Sequence, residues 1–204
     1  MFGIGIDLGG TNIRAGLVDK NGTTSSVIWR QTPVALGPEA TAKTMAEMVA
    51  EIQKVSGASI AGVGIGSPGP LSRKEKTIFQ TPNLPGFDGF PLGRRVEELC
   101  GLAVSLDNDA KCATYGEGLF GAARGLRDFV LLTFGTGIGG GIIANGEMIY
   151  GKSDGACELG HLTLYPEGLL CKCGNRGCFE QYCSATAAER RASVAAGLDR
   201  KSVV

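Results

Sequence analysis

The 204-residue chain has no net charge, one histidine and one tryptophan. Lys and Arg total 20, as do Asp and Glu. Such a balance lacks the positive field that draws a protein to nucleic acid or to an anionic membrane. No apolar run is long enough to span a bilayer, so no membrane helix is expected. Met1 leads almost at once into a strand pattern, which leaves no charged n-region or cleavage site of a signal peptide. Seven cysteines, odd in number and unevenly spaced, make poor material for a disulfide framework. A reducing, cytoplasmic setting with some thiols on a metal is expected instead. Cys100, Cys112, Cys157 and Cys183 read as small buried hydrophobes. A hydrophobic content of 43% supports a real core, in one large or two small domains.

Glycine, by contrast, is abundant, and its placement organises the chain. Phe2 to Leu8 alternates apolar residues with glycine as a strand, Gly9-Gly10-Thr11-Asn12 is a tight turn, and Ile13 to Val18 returns antiparallel. Asn21-Gly22 tolerates the positive φ of a hairpin turn and leads into a third strand over 23–31. Met45, Met48, Val49, Ile52 and Val55 repeat at helical spacing over 39–56, with Gly57 where a helix ends. A buried strand over 60–66, an irregular stretch over 71–90, a short helix from Pro91 to Gly101 and a strand over 103–106 complete one α/β unit. Asn108 caps a helix over 109–120. A strand over 129–134, a glycine turn over 135–141 and a strand over 142–144 follow, and Asn145-Gly146 turns into a last strand over 147–150. Strand, Gly/Thr turn and return strand thus occur twice, at 4–18 and 129–150, as a weak internal repeat of two lobes, 1–107 and 108–204.

The chemistry concentrates in three places. His161, Cys171, Cys173 and Cys178 offer the soft N/S donors of a closed tetrahedral zinc site, although Cys-x-Cys differs from the usual Cys-x-x-Cys knuckle. The alternative is a loop of reduced thiols around a satisfied histidine. The turns at Gly9, Gly10, Thr11 and Asn12 and at Gly135, Thr136 and Gly137 can turn backbone N–H groups and a hydroxyl onto phosphate. Neither is a Walker loop or a dinucleotide fingerprint, and each alone is compatible with an ordinary hairpin. Asp7, ending the first strand, suits Mg²⁺ held through water.

Asp7-Leu8-Gly9-Gly10-Thr11, Asn108-Asp109-Ala110, Gly135-Thr136-Gly137-Ile138-Gly139-Gly140-Gly141, Glu158-Leu159-Gly160-His161 and Cys171-x-Cys173-Gly174-x-x-Gly177-Cys178-x-Glu180 stand in an order and spacing that resembles the ROK family of repressors and sugar kinases, most of all its bacterial glucokinases. The resemblance implies a two-lobed actin-like ATPase (ribonuclease H-like) α/β fold whose second lobe is incomplete in this chain, leaving apolar faces uncovered. It implies ATP-dependent phosphorylation of a hexose, glucose to glucose 6-phosphate. Asp109 would be the general base, its ionised carboxylate favoured beside a helix N-terminus. Gly66, Asn83, Asn108, Asp109, Glu158, His161 and Glu180 would bind the sugar, whose hydroxyls suit carboxylates and amides. Zinc would be structural and would orient His161. Closure would hinge near 107–109, and family members form homo-oligomers. A non-catalytic sugar-binding fragment or a sugar-sensing regulator is the alternative. DNA binding is not expected, because no helix-turn-helix precedes the first strand.

Overall fold

A computed structural model describes residues 1–79, 81 and 84–197, so Asn83 lies outside the described residues. Two compact units emerge, Met1–Gly125 with Gly151–Gly155, and Leu126–Tyr150 with Ala156–Val204. They are cut differently from the 107/108 division expected. The helix that follows Asn108 packs on the strands before it and therefore belongs to the first unit.

The first unit is built on β1 (Phe2–Leu8), β2 (Asn12–Asp19), β3 (Thr24–Gln31), β4 (Ile60–Ser67) and β7 (Val104–Asn108), in the order β3-β2-β1-β4-β7. Two hairpins make β3-β2-β1 antiparallel. β1, β4 and β7 run parallel because helical crossovers join them. These crossovers contain α1 (Gly37–Ser56) and α2 (Leu92–Cys100), which pack together and end on left-handed Gly57 and Gly101. Ile4, Ile6 and Leu8 of β1 and Ile13, Ala15 and Leu17 of β2 face the same core as Met45, Met48, Val49 and Ile52 of α1. Each of these larger apolar side chains contributes about 1.5–3 kcal/mol on burial. The methionines are core filling, as expected. The stretch 71–90 is less irregular than expected, since β5 (Leu71–Ser72) and β6 (Thr77–Ile78) pair within it.

α3 (Asp109–Phe120) begins on Asn108, whose side chain accepts the N–H groups of Ala110 and Lys111 at 3.0 and 3.2 Å. The expected cap is therefore present.

The second unit contains β8 (Phe129–Phe134), β9 (Ile138–Ala144) and β10 (Glu147–Met148), an antiparallel meander. Only Gly135 to Gly137 form the turn. Gly139, Gly140 and Gly141, expected in it, are strand residues opposite Thr133, Leu132 and Leu131. The last strand stops at Met148 rather than at Tyr150. Asn145 and Gly146 take φ of 54° and 84°, as the Asn-Gly hairpin requires. Val130, Leu132 and Phe134 alternate along β8 and are exposed. A helical turn at Leu159–His161, then α4 (Glu180–Cys183) and α5 (Ala185–Ala195), follow.

All seven cysteines are free thiols, in keeping with the expected lack of a disulfide framework. Burial corrects the rest of that expectation. Cys112 and Cys183 are exposed, and Cys100 and Cys157 are half-buried. Among the described residues, no helix is long and apolar enough to cross a membrane.

Candidate functional site

In the first unit, strand register brings the chemistry to the carboxyl ends of the parallel strands. Asp7 on β1 is level with Gly66 on β4, which is level with Asp107 on β7. Neighbouring strands lie about 4.8 Å apart, so the three form a short row across the sheet. The next residues, Ser67 and Asn108, are also paired, and Asp109 opens α3 directly above. Carboxyl ends of strands are where open α/β sheets bind ligands.

A cleft of about 620 Å³ has Asp7, Arg14, Gly66, Asp109 and Cys112 among its lining residues. A Cβ added at Gly66 would touch Asp109 Cα and Cys112 Sγ, both at 3.5 Å, so a larger side chain would fill the space before Asp109. Asp7 and Asp109 are exposed, and Asn108 is half-buried. Asp109 accepts the N–H of Ala110 at 2.8 Å. Cys112 is exposed as a residue, but its sulfur lies over Gly66. Burial there, with the negative charges of Asp107, Asp109 and Asp7, pushes its thiol up to about 12. Asp107 and Cys112 were not anticipated as parts of this site. Only the strand register, which sets residue 107 level with residue 7, could have signalled the first.

The two Gly/Thr turns are locally alike. Gly9 donates its N–H to Asn12 O at 2.9 Å, and Gly135 donates to Gly137 O at 3.0 Å. Both amides are thus spent inside their turns and not turned outward. Thr32 anchors the first turn, its hydroxyl donating to Gly9 O at 2.7 Å and its N–H to Thr11 O at 2.8 Å. Thr11 and Thr136 are exposed at the tips, and Gly10 is half-buried.

In the second unit, His161, Cys171, Cys173 and Cys178 place their ligand atoms within 4.8 Å of one another. His161 Nδ1 lies 3.6 Å from Cys171 Sγ, and Cys173 Sγ lies 3.7 Å from Cys178 Sγ. Tetrahedral zinc with bonds of about 2.3 Å to sulfur and about 2.0 Å to nitrogen needs edges of roughly 3.5–3.8 Å. The donor set therefore fits zinc in type, and these two edges fit it in spacing. The loop can close because Gly177 sits at φ 70° with Tyr165 O where a Cβ would stand, 1.7 Å away. No other residue fits there.

Burial pushes the Cys171 thiol up to about 12 and raises that of Cys178. Burial also opposes ionisation of Cys173, but the Asn175 N–H and the neighbouring thiols outweigh it, and its pKa is lowered. A cluster this crowded holds three thiolates only around a cation. Glu180 stands beside it. Its Oε1 accepts from the Cys171 thiol at 3.2 Å and lies 3.9 Å from His161 Nδ1, while its Oε2 accepts the N–H of Ile138 at 3.3 Å. Glu158 is exposed at the start of the helical turn, where its carbonyl accepts the His161 N–H at 3.0 Å. His161 and Glu180 are therefore brought together with the cysteines, and Glu158 lies one helical turn before His161.

Comparisons with known proteins bear on the whole chain. A family model described as "ROK family" matches residues 3–202. Glucokinase of Thermotoga maritima is 41% identical over 187 residues, 92% of this chain and 58% of the relative, so the chain spans under two thirds of that relative's length. N-acetylmannosamine kinase of Salmonella newport is 33% identical over the full chain and 68% of its own length. A crystal structure of a ROK family glucokinase from Streptomyces griseus, in complex with glucose and AMPPNP, superposes with TM-score 0.84 at 38% identity, covering 97% of this chain and 62% of that one. The actin-like α/β fold expected from the motifs is therefore the fold observed. With a family model matched along nearly its entire length, the chain belongs to the ROK family.

Proposed function

We propose that this chain acts in ATP-dependent phosphorylation of a hexose, glucose to glucose 6-phosphate, with Asp109 as general base. The observation that carries this reading is Asp109 itself. It is an exposed carboxylate at the head of a capped helix, over a glycine floor at the carboxyl ends of β1, β4 and β7. Asp109 takes the proton of the sugar's 6-hydroxyl as that oxygen bonds to the γ-phosphorus of ATP. The bond from phosphorus to the bridging oxygen breaks, and ADP leaves. Such transfer depends mainly on positioning and charge neutralisation, for which few side chains suffice.

Asn108 spends its side-chain oxygen on the helix cap, which leaves its amide N–H groups to donate to a sugar hydroxyl. Gly66, Glu158, His161 and Glu180 complete the sugar-reading set in this proposal. Asn83 is assigned there by resemblance alone. Asp7 would hold Mg²⁺ through water, and the turns at 9–12 and 135–137 would hold the phosphates. His161, Cys171, Cys173 and Cys178 would hold zinc, which serves as a structural clamp. With Nδ1 turned to the cysteines, the imidazole keeps its second nitrogen for a hydroxyl.

A second reading is sugar binding without transfer. It is favoured by the Gly9 and Gly135 amides, which donate within their own turns rather than outward to a phosphate. Calorimetry separates the two. Glucose binding that tightens with a non-hydrolysable ATP analogue supports the kinase, and glucose binding indifferent to nucleotide supports the binder. No binding of glucose or N-acetylmannosamine sinks both.

A further inference from the structure

Lys111 breaks two local rules at once. It lies in the first turn of α3, where a cation opposes the helix dipole, and it is 2% exposed. A lysine is rarely buried so fully unless its ammonium has a built partner. Here Nζ donates to the backbone carbonyl of Asp154 at 2.5 Å. Asp154 belongs to the short segment Gly151–Gly155, which joins the first unit although the chain on either side of it belongs to the second. A further tie holds the same residue, because the N–H of Arg73 donates to Asp154 Oδ2 at 3.1 Å. Arg73 in turn pairs with Asp107 at 3.2 Å. Asp154 itself takes φ 58°, which lets one residue present its carbonyl to Lys111 and its carboxylate to Arg73.

We propose that Lys111 is a positioning residue, whose ammonium straps residues 151–155 to the first unit and so fixes where the chain departs four residues before Glu158. Four residues reach at most about 14 Å, so the anchored carbonyl restricts where Glu158 can stand. This rests on the hexose reading above, in which Glu158 contacts the sugar. The cost of burying an ammonium in a helix's first turn is offset by its bond to the Asp154 carbonyl, and that bond holds a segment with no regular secondary structure of its own.

Trypsin reports on the strap directly, because Lys152 is exposed within it. Lys111→Met keeps the apolar stem and donates nothing. It is expected to speed cleavage after Lys152 about tenfold relative to cleavage after Arg94, and to weaken glucose binding by a similar factor. Lys111→Arg, which still donates, restores both. Should the Met variant not fold, Lys111→Gln, polar but too short to reach the carbonyl, gives the same reading. Equal cleavage after Lys152 in wild type and variant overturns the tether. Faster cleavage there together with loss of α3 helicity makes Lys111 a support of the helix alone and also overturns it. If wild type binds no glucose, the hexose reading fails, and faster cleavage after Lys152 then marks a tether with no positioning role.

Discussion

Asn108 carries two roles that one pair of substitutions separates. Its side-chain oxygen accepts two N–H groups at the head of α3, and its amide nitrogen is proposed to donate to sugar. Asn108→Ala removes the acceptor and leaves the Ala110 and Lys111 amides without it. Loss of an N-cap costs about 0.5–2 kcal/mol. The upper half of that range applies here, because the Lys111 amide that loses this acceptor belongs to a buried residue, while the Ala110 amide keeps the Asp109 carboxylate, and α3 buries only Ala110, Lys111 and Thr114. For a chain of this size, a loss of about 1–2 kcal/mol lowers Tm by roughly 2–8 °C. Asn108→Asp keeps an acceptor that the helix dipole favours, and donates nothing. It should therefore hold Tm within about 2 °C of wild type while weakening glucose binding as strongly as Asn108→Ala. Calorimetric melting and glucose titration at 0.15 M salt measure both quantities. Equal Tm for wild type and Asn108→Ala would refute the capping argument. Undiminished glucose binding by Asn108→Asp would refute the donor role.

Two further outcomes are expected. Cys173→Ser should lower bound zinc and thermal stability together, since a four-donor site loses one vertex of its tetrahedron, and equal zinc content in both proteins by metal analysis would contradict the site. Glu39 accepts from Arg95 through both carboxylate oxygens, joining α1 to α2, and hydrogen bonding to that guanidinium lowers its carboxyl from 4.5. A lowered folded-state pKa contributes stability that is present above the unfolded value and lost as pH falls through the folded one. Glu39→Gln should therefore lower Tm at pH 7 and have no effect below both values, and a Tm difference independent of pH would contradict the ion pair.

The hairpins, the helix over α1 and the Asn108 cap were legible because each rests on local chemistry: Asn-Gly turns, a 3.6-residue apolar repeat and a side-chain acceptor before a helix. The gathering of His161, Cys171, Cys173 and Cys178 was legible because these are residue types that bind zinc. Gly139 to Gly141 misled, since glycine signals a turn and a close approach equally well. Here a Cβ on Gly140 would stand 2.8 Å from both Leu131 O and Leu159 Cδ1, so crowding by other elements set the choice. The cysteine burials misled for a related reason. Cys112 and Cys183 follow no apolar period that would say which face they take, and burial is decided by packing partners far away in sequence. Lys111 left a trace that went unread, a cation in a helix's first turn, where local preference is violated and only tertiary structure explains it.

Proton transfer from a hexose hydroxyl to Asp109 is tested by following glucose 6-phosphate formation with ATP and Mg²⁺ for wild type and Asp109→Asn, alongside glucose binding by calorimetry. Wild type should turn over, and Asp109→Asn should keep glucose affinity within a few-fold of wild type with turnover reduced about 10²-fold or more. Near-normal turnover by Asp109→Asn would contradict it.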